Sequence, residues 1–266
     1  MQIPVQGHGA YAYTGGKPFD PALPCVVFIH GALNDHSVWT LLARWFAHHG
    51  HAVLAVDLPG HARSAGAPQP DVESAARWLQ ALLDAVGVQR AALVGHSMGS
   101  LIALHAAGFA PDRVTRLIMV GTAYPMKVSE ALLSTAKDAP LKAIDMVNVF
   151  SHSSMAAKPS YPGPGTWLHG AGRALGRRVL ASQRDLNLFH HDFSVCDRYA
   201  DGLSAAQRVQ CPATLVLGEQ DQMTPPRQAR ELAQALRARV STVLAGHSLM
   251  AEAPDAVLNA LRDALR

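Results

Sequence analysis

Cysteine is scarce in this chain: three among 266 residues, at positions 25, 196 and 211, with no CxxC pair. An odd, widely spaced set builds no disulfide framework, so a reducing, cytoplasmic setting is the expectation. Charge is thin as well. Only 16% of residues are charged and the net charge is +3, so the sequence pI near 8.9 rests mainly on scattered arginines. The densest basic stretch, "GRALGRRVLASQR" with Arg173, Arg177, Arg178 and Arg184, has no interleaved aromatics, and it reads as a solvated helix face. A nucleic-acid partner, which would want a basic stripe with stacking rings, is therefore not expected. No run of about 20 apolar residues exists to cross a membrane. The opening "MQIPVQGHGAYAYTGGKP" lacks a basic segment followed by an apolar one, so no secretory signal is expected. There is no internal repeat, and the sole low-complexity feature is the Pro/Gly stretch "KPSYPGPG" at 158–165. The histidines of "HHGH" (48–51) sit at a predicted helix end and lack metal-ligand spacing, so no metal is expected.

What is present is enough apolar residue, 49%, to bury a sizeable core. Short apolar runs at 25–30, 51–57, 91–96, 114–121, 213–219 and 239–246 read as strands. Most are continuous rather than alternating, as in strands buried on both faces. Helix patterns near 37–49, 72–86, 98–109, 226–237 and 254–265 lie between them, and this alternation predicts an α/β fold with a parallel sheet. From Ala123 to Gln207 no comparable strand occurs, and a structureless loop of that length would be anomalous in a compact domain. Residues 123–207 are therefore expected to form a mostly helical cap inserted into a core made of 1–122 and 208–266.

The segment "RAALVGHSMGSLIALHAAG" (90–108) places Ser97 between a strand and a helix, with Gly95 and Gly99 two residues to either side. A sharp strand-to-helix turn strains its apex residue and crowds the positions two before and two after, where glycine removes the clashing Cβ. The apex side chain then stands beside helix N–H groups that have no intrahelical partner. A serine there is a candidate nucleophile, and the alternative is a serine that merely caps the helix.

Serine needs a base and an orienting acid. Of fourteen histidines, only His247, in "VLAGHSLMAEAPD", lies between the last strand and the last helix. Asp221, in "LVLGEQDQMTPP", follows the preceding strand and is favoured as the acid over Glu219. Ser97, Asp221, His247 is the nucleophile–acid–base order of one known solution to this geometry. An oxyanion hole would draw one N–H from Met98, after the serine, and another from "HGALNDHSVW" (30–39), where Ala32 is the candidate and Leu33 the alternative. His30 reads as a structural hydrogen bonder at a strand end.

Together, "HGALNDHSVW", "VDLPGHARS", "GHSMG", "LVLGEQDQMTPP" and "AGHSLMAEAP" resemble the α/β-hydrolase superfamily, in its single-domain bacterial esterase-like branch. The resemblance implies an α/β-hydrolase fold: an eight-stranded, mostly parallel sheet flanked by helices, with a helical cap after the sixth strand and a Ser-Asp-His triad beneath it. It also implies that no metal or organic cofactor takes part. Two departures stand out. Ala62 replaces the family's second glycine in the loop after the fourth strand. Ser248 follows the histidine where carbon–carbon bond hydrolases often carry tryptophan. A serine rather than an aspartate nucleophile argues against haloalkane dehalogenase and epoxide hydrolase chemistry.

The function expected is hydrolysis of a small or medium carboxylic ester through an acyl-enzyme. The alternatives are a carbon–carbon bond or lactone hydrolase using the same triad, or a slow-turnover small-ligand receptor; fold alone does not choose among them. Met126, Val147, Phe150, Trp167, Phe189 and Phe193 read mostly as cap core, and Leu33, Trp167, Phe150 and Phe189 are the substrate-binding candidates. His190-His191-Asp192 is expected at the surface, with lining a pocket or contacting a substrate carboxylate as the alternative.

Overall fold

The structure, a computed structural model, describes residues 1–154 and 167–266. The "KPSYPGPG" stretch thus lies outside the described residues. Among the described residues eight strands form one sheet: β1 (Gln2–Val5), β2 (His8–Tyr13), β3 (Cys25–Ile29), β4 (Ala52–Val56), β5 (Ala91–His96), β6 (Val114–Val120), β7 (Ala213–Gly218) and β8 (Arg239–Val243). Their spatial order is β1-β2-β4-β3-β5-β6-β7-β8, and β2 alone runs against the others. The six strands expected from apolar runs are β3 to β8, each present within a few residues of its expected bounds. The hairpin β1–β2 was not among them, because its short strands alternate exposed and buried residues rather than forming apolar runs. Gln6 and Gly7 close that hairpin with φ of 50° and 83°, the backbone that a two-residue turn between twisted strands requires.

Helices cover both faces. Alternate residues of the buried strands feed opposite sides, so Val27, Ile29, Leu54 and Leu93 share one apolar cluster while Val26, Phe28, Val53 and Val94 share the other. The first cluster takes in α2 (Val72–Ala85) and α3 (Met98–Phe109); the second takes in α1 (Thr40–Ala47) and the C-terminal helix, Pro254–Leu265. Helix α2 starts where Asp71 accepts the Ser74 N–H at 2.7 Å, and it buries Val72, Ala75, Ala76, Leu79, Leu82 and Leu83 at helical spacing.

Between β6 and β7 come α4 (Glu130–Asp138), α5 (Pro140–Ser151), α6 (Leu168–Leu180), α7 (Leu188–Arg198) and α8 (Gly202–Arg208). The first four share a small core of their own, with Ala136, Ala143, Ile144, Val179, Leu188, Phe189 and Phe193; Leu33 is the buried residue that joins it from the sheet side. In contrast, Val195, Cys196, Ala205 and Ala206 belong to the main core, so the end of α7 and all of α8 pack on the sheet layer. The chain continues through α9 (Arg230–Ala235) and α10 (Leu249–Glu252) to α11 (Pro254–Leu265). All three cysteines are unbridged, and burial pushes the Cys25 thiol up to about 12. Among the described residues no helix is long and apolar enough to cross a membrane.

The loop after β4 is where one departure in the sequence has a backbone cost. Ala62 has φ of 45°, in the left-handed region that favours glycine. Relieving roughly 1–2 kcal/mol of strain against about 0.4–1 kcal/mol of added unfolded-chain entropy makes Ala62→Gly stabilising by up to about 1.6 kcal/mol. Equilibrium denaturation with urea is the measurement, and a variant less stable than the parent would contradict the strain.

Candidate active site

Ser97 occupies the joint between β5 and α3 with φ of 52° and ψ of −120°, a strained backbone for a residue with a side chain. The crowding expected around it is present. A Cβ on Gly95 would overlap the Gly99 carbonyl, and one on Gly99 would overlap the Ile29 carbonyl and meet His30 O at 2.5 Å. The turn is held from β6, whose Val120 carbonyl accepts the Ser97 N–H at 3.0 Å.

His247 and Asp221 are brought together from loops after β8 and β7. Asp221 is buried, and its Oδ2 accepts from His247 Nδ1 at 2.8 Å. Its Oδ1 accepts the N–H groups of Met223 and Thr224, both at 2.8 Å, while the Thr224 hydroxyl donates to Oδ2 at 2.7 Å. Burial opposes ionisation of this carboxyl, but His247 and these hydrogen bonds outweigh it and hold Asp221 well below the usual carboxylate range. Glu219, the rival acid, is exposed at the end of β7.

Two further contacts fix the histidine loop. The His96 ring donates from Nε2 to the His247 carbonyl at 2.9 Å, and burial followed by the nearby His247 pushes His96 down to about 3, so it stays neutral. Glu252, buried on α10, accepts the Gly246 N–H at 3.0 Å and the Ser153 N–H at 3.1 Å, joining the turn before His247 to the end of α5.

Ser97 and His247 face one cavity of about 830 Å³, whose walls are mostly apolar and come from the sheet loops and from α4 to α7. No direct hydrogen bond joins their side chains among the described residues; such bonds are often long in unliganded sites and tighten around substrate. Ala32, Leu33, Phe150 and Phe189 also line the cavity. Gly31 lies against the serine, since a Cβ there would meet Ser97 Cβ at 3.0 Å. Met98 is the first residue of α3, where an N–H has no partner within the helix, and its side chain is buried in the main core.

Several expectations change. Trp167, just ahead of α6, is not among the cavity-lining residues although its neighbour Leu168 is; it is 53% exposed, with its ring 5.6 Å from that of His169. Phe150 lines the cavity but is 47% exposed, so neither it nor Trp167 is cap core. Leu33 cannot offer its N–H to an oxyanion, because that N–H donates to Asp192 Oδ2 at 2.8 Å. Asp192 itself is 1% exposed rather than at the surface, since it turns inward from α7 to His61 Nε2 at 2.9 Å. His30 does have the structural role expected of it. Its Nδ1 donates to Gly31 O at 2.8 Å, its Nε2 accepts the Leu58 N–H at 3.1 Å, and burial together with the His61 charge pushes it down to about 4.

One group with metal-ligating side chains occurs among the described residues: Asp35, His36 and Asp57. Its atoms are already engaged, since Asp57 Oδ1 accepts from the His36 N–H and ring Nδ1, both at 2.7 Å, and Asp35 accepts from Arg178 at 2.7 Å.

The sequence matches the family model described as alpha/beta hydrolase fold over residues 24–160, just over half of the chain. The chain belongs to the α/β-hydrolase fold family. Among curated relatives of this α/β-hydrolase, the sn-1-specific diacylglycerol lipase ABHD11 of Mus musculus is 33% identical over 135 residues, 50% of this chain and 44% of that protein. The 2-succinyl-6-hydroxy-2,4-cyclohexadiene-1-carboxylate synthase of Salmonella typhimurium is 37% identical over 90 residues, 34% of this chain and 35% of that one. The chain thus spans less than half the length of the curated relatives it matches. Solved structures extend the likeness to the whole fold. The enol-lactonase from Burkholderia xenovorans LB400 aligns with a TM-score of 0.84 at 22% identity, covering 100% of this chain and 99% of that one. An esterase from Exiguobacterium antarcticum aligns with a TM-score of 0.83 at 16% identity, covering 99% and 98%.

Thr224 was not foreseen as part of the site, although "QMTPP" follows the predicted acid; a threonine three residues after a carboxylate can turn its hydroxyl back on it. The depressed Asp221 carboxyl has a pH signature. A group with a lowered folded pKa contributes stability above its unfolded value, about 3.9, and loses it as pH falls through the folded one. Asp221→Asn is therefore less stable than the parent at pH 7, and thermal denaturation should show the gap narrowing below about pH 4. A gap that widens in acid would contradict the assignment.

Proposed function

We propose that the chain is a serine hydrolase of small or medium carboxylic esters. The observation that carries this reading is Ser97, held at a strained strand-to-helix turn, facing the same cavity as the His247–Asp221 pair. In the proposed reaction the Ser97 Oγ attacks the ester carbonyl carbon while His247 Nε2 takes the hydroxyl proton. Asp221 Oδ2 at 2.8 Å and the Thr224 hydroxyl at 3.1 Å hold Nδ1, which leaves Nε2 toward the serine, and Asp221 stabilises the imidazolium that forms. The carbonyl oxygen, now negative, is received by the N–H groups of Ala32 and Met98. His247 then protonates the leaving alcohol, the tetrahedral adduct collapses to an acyl-serine, and water attacks that ester with His247 again as base.

In this reading residues 123–207 act as a cap over a core of 1–122 and 208–266, and Leu33, Phe150 and Phe189 supply substrate contact. The apolar walls from α4 to α7 favour an acyl chain over a polar group. A lactone is a cyclic ester and would follow the same path with its alcohol still tethered, which the enol-lactonase likeness makes a natural second substrate class. The three unbridged thiols suit a reducing compartment.

A p-nitrophenyl ester chain-length series tests this. The parent should turn over esters with an optimum at about four acyl carbons or more, and Ser97→Ala should lose at least about 10³-fold in kcat/KM. The rate should fall on the acid side, where a protonated imidazole cannot accept the serine proton. Equal rates for parent and Ser97→Ala would sink the nucleophile assignment.

A further inference from the structure

The contact between Asp192 and the loop after β3 is more than a tie between layers. A trans peptide points its N–H away from its C=O, so whatever holds the Gly31 carbonyl aims the Ala32 N–H. That carbonyl accepts from His30 Nδ1 at 2.8 Å and from the Asn34 N–H at 3.3 Å. The next peptide plane, between Ala32 and Leu33, is held by a side chain from α7: the Leu33 N–H donates to Asp192 Oδ2 at 2.8 Å. Leu33 has φ of 53°, a strained backbone that persists only when its surroundings over-determine it. Its side chain is packed into the small core shared by α4 to α7, so the loop is gripped twice by the same helical layer.

The carboxylate is itself locked. His61, from the loop after β4, presents Nδ1 to the Pro59 carbonyl at 3.0 Å and Nε2 to Asp192 Oδ2 at 2.9 Å. A carbonyl and a carboxylate both only accept, so both ring nitrogens donate and His61 is an imidazolium. Burial works against that charge, yet the Asp192 charge and hydrogen bond prevail and raise His61 above its ordinary value. His191 Nδ1 adds a donor to Oδ1 at 3.1 Å. The pair is 2% and 1% exposed, so removing one partner leaves a buried charge unmatched.

We propose that Asp192, fixed by His61, is a positioning residue for the oxyanion hole: it holds the Ala32–Leu33 peptide from the helical layer so that the Ala32 N–H stays aimed beside Ser97. The proposal rests on the hydrolytic reading above and adds a dependence of transition-state stabilisation on the docking of α7. An oxyanion donor acts only where negative charge develops, so losing its aim lowers kcat more than it raises KM.

The test compares the parent, Asp192→Ala and Asp192→Asn on the best p-nitrophenyl ester, with Ser97→Ala alongside, and adds inhibition by an alkyl boronic acid, whose tetrahedral adduct carries the negative charge. Asp192→Ala should lose about 10- to 100-fold in kcat with KM changed less than about twofold, and weaken boronate binding by a similar factor. Asparagine keeps an acceptor for the Leu33 N–H and should restore most of that loss, which a merely structural role for the charge pair would not predict. Should the alanine variant fail to fold, Asp192→Ser is read in its place, because the shorter side chain stays polar but carries no oxygen at the Oδ2 position that receives the Leu33 N–H. A folded alanine or serine variant with parental kcat and boronate affinity would overturn the positioning role alone. A parent that neither turns over esters nor labels at Ser97 with a fluorophosphonate would instead overturn the hydrolytic reading beneath it.

Discussion

The close approach of β5 to α3 is the constraint on which the rest of the site depends. Gly95 and Gly99 let the two backbones nearly touch, and Gly99 is also pressed against the carbonyls of Ile29 and His30 at the end of β3. One turn therefore sets three things at once: the strained angle at Ser97, the orphan N–H groups at the start of α3, and the distance to the neighbouring β3 loop. Side chains larger than hydrogen at either glycine would separate the nucleophile candidate from the loop that carries Ala32.

Around that turn the sheet acts as a frame that delivers loops to one edge. Parallel strands release their C-terminal ends on the same side, so loops after β3, β4, β5, β7 and β8 converge although they are far apart in sequence. Each loop brings one tethering element. His30 holds the Gly31 carbonyl, His61 holds Asp192, His96 holds the His247 backbone, Thr224 holds Asp221, and Glu252 holds the turn at Gly246. The His30 and His61 rings each join two backbone or side-chain partners across a gap too wide for a hydroxyl, while the His96 ring makes one such bond. Burial, helped by a neighbouring histidine, keeps His30 and His96 neutral, while His61 faces two acceptors, one of them the Asp192 carboxylate, and is charged.

The helical layer between β6 and β7 is bound to this frame by polar as well as apolar contacts. Leu33 enters its small core and Asp192 enters the sheet side, so each layer places a residue within the other. At its far end α5 meets the histidine loop, where the Ser151 carbonyl accepts the Ser248 N–H at 2.9 Å. Both the oxyanion-loop candidate and the base candidate are therefore braced from the same side as the cavity's apolar walls.

The local chain determined much of this. Continuous apolar runs marked β3 to β8, and the glycine spacing around Ser97 marked the turn, because both follow from nearest-neighbour sterics and burial. Chain order alone singled out Asp221 and His247 as residues that leave adjacent strand ends, and they do meet at 2.8 Å. The short β1–β2 hairpin escaped notice because its burial alternates, and the apparent surface trio His190-His191-Asp192 misled because polarity says nothing about a partner 131 residues away. Only the tertiary structure could pair Asp192 with His61 and Leu33, leave Trp167 outside the cavity lining, and leave Leu33 without a free N–H. Those outcomes depend on how one layer of helices docks on the sheet, and docking is decided by the packing of many distant side chains together rather than by any one segment's own pattern.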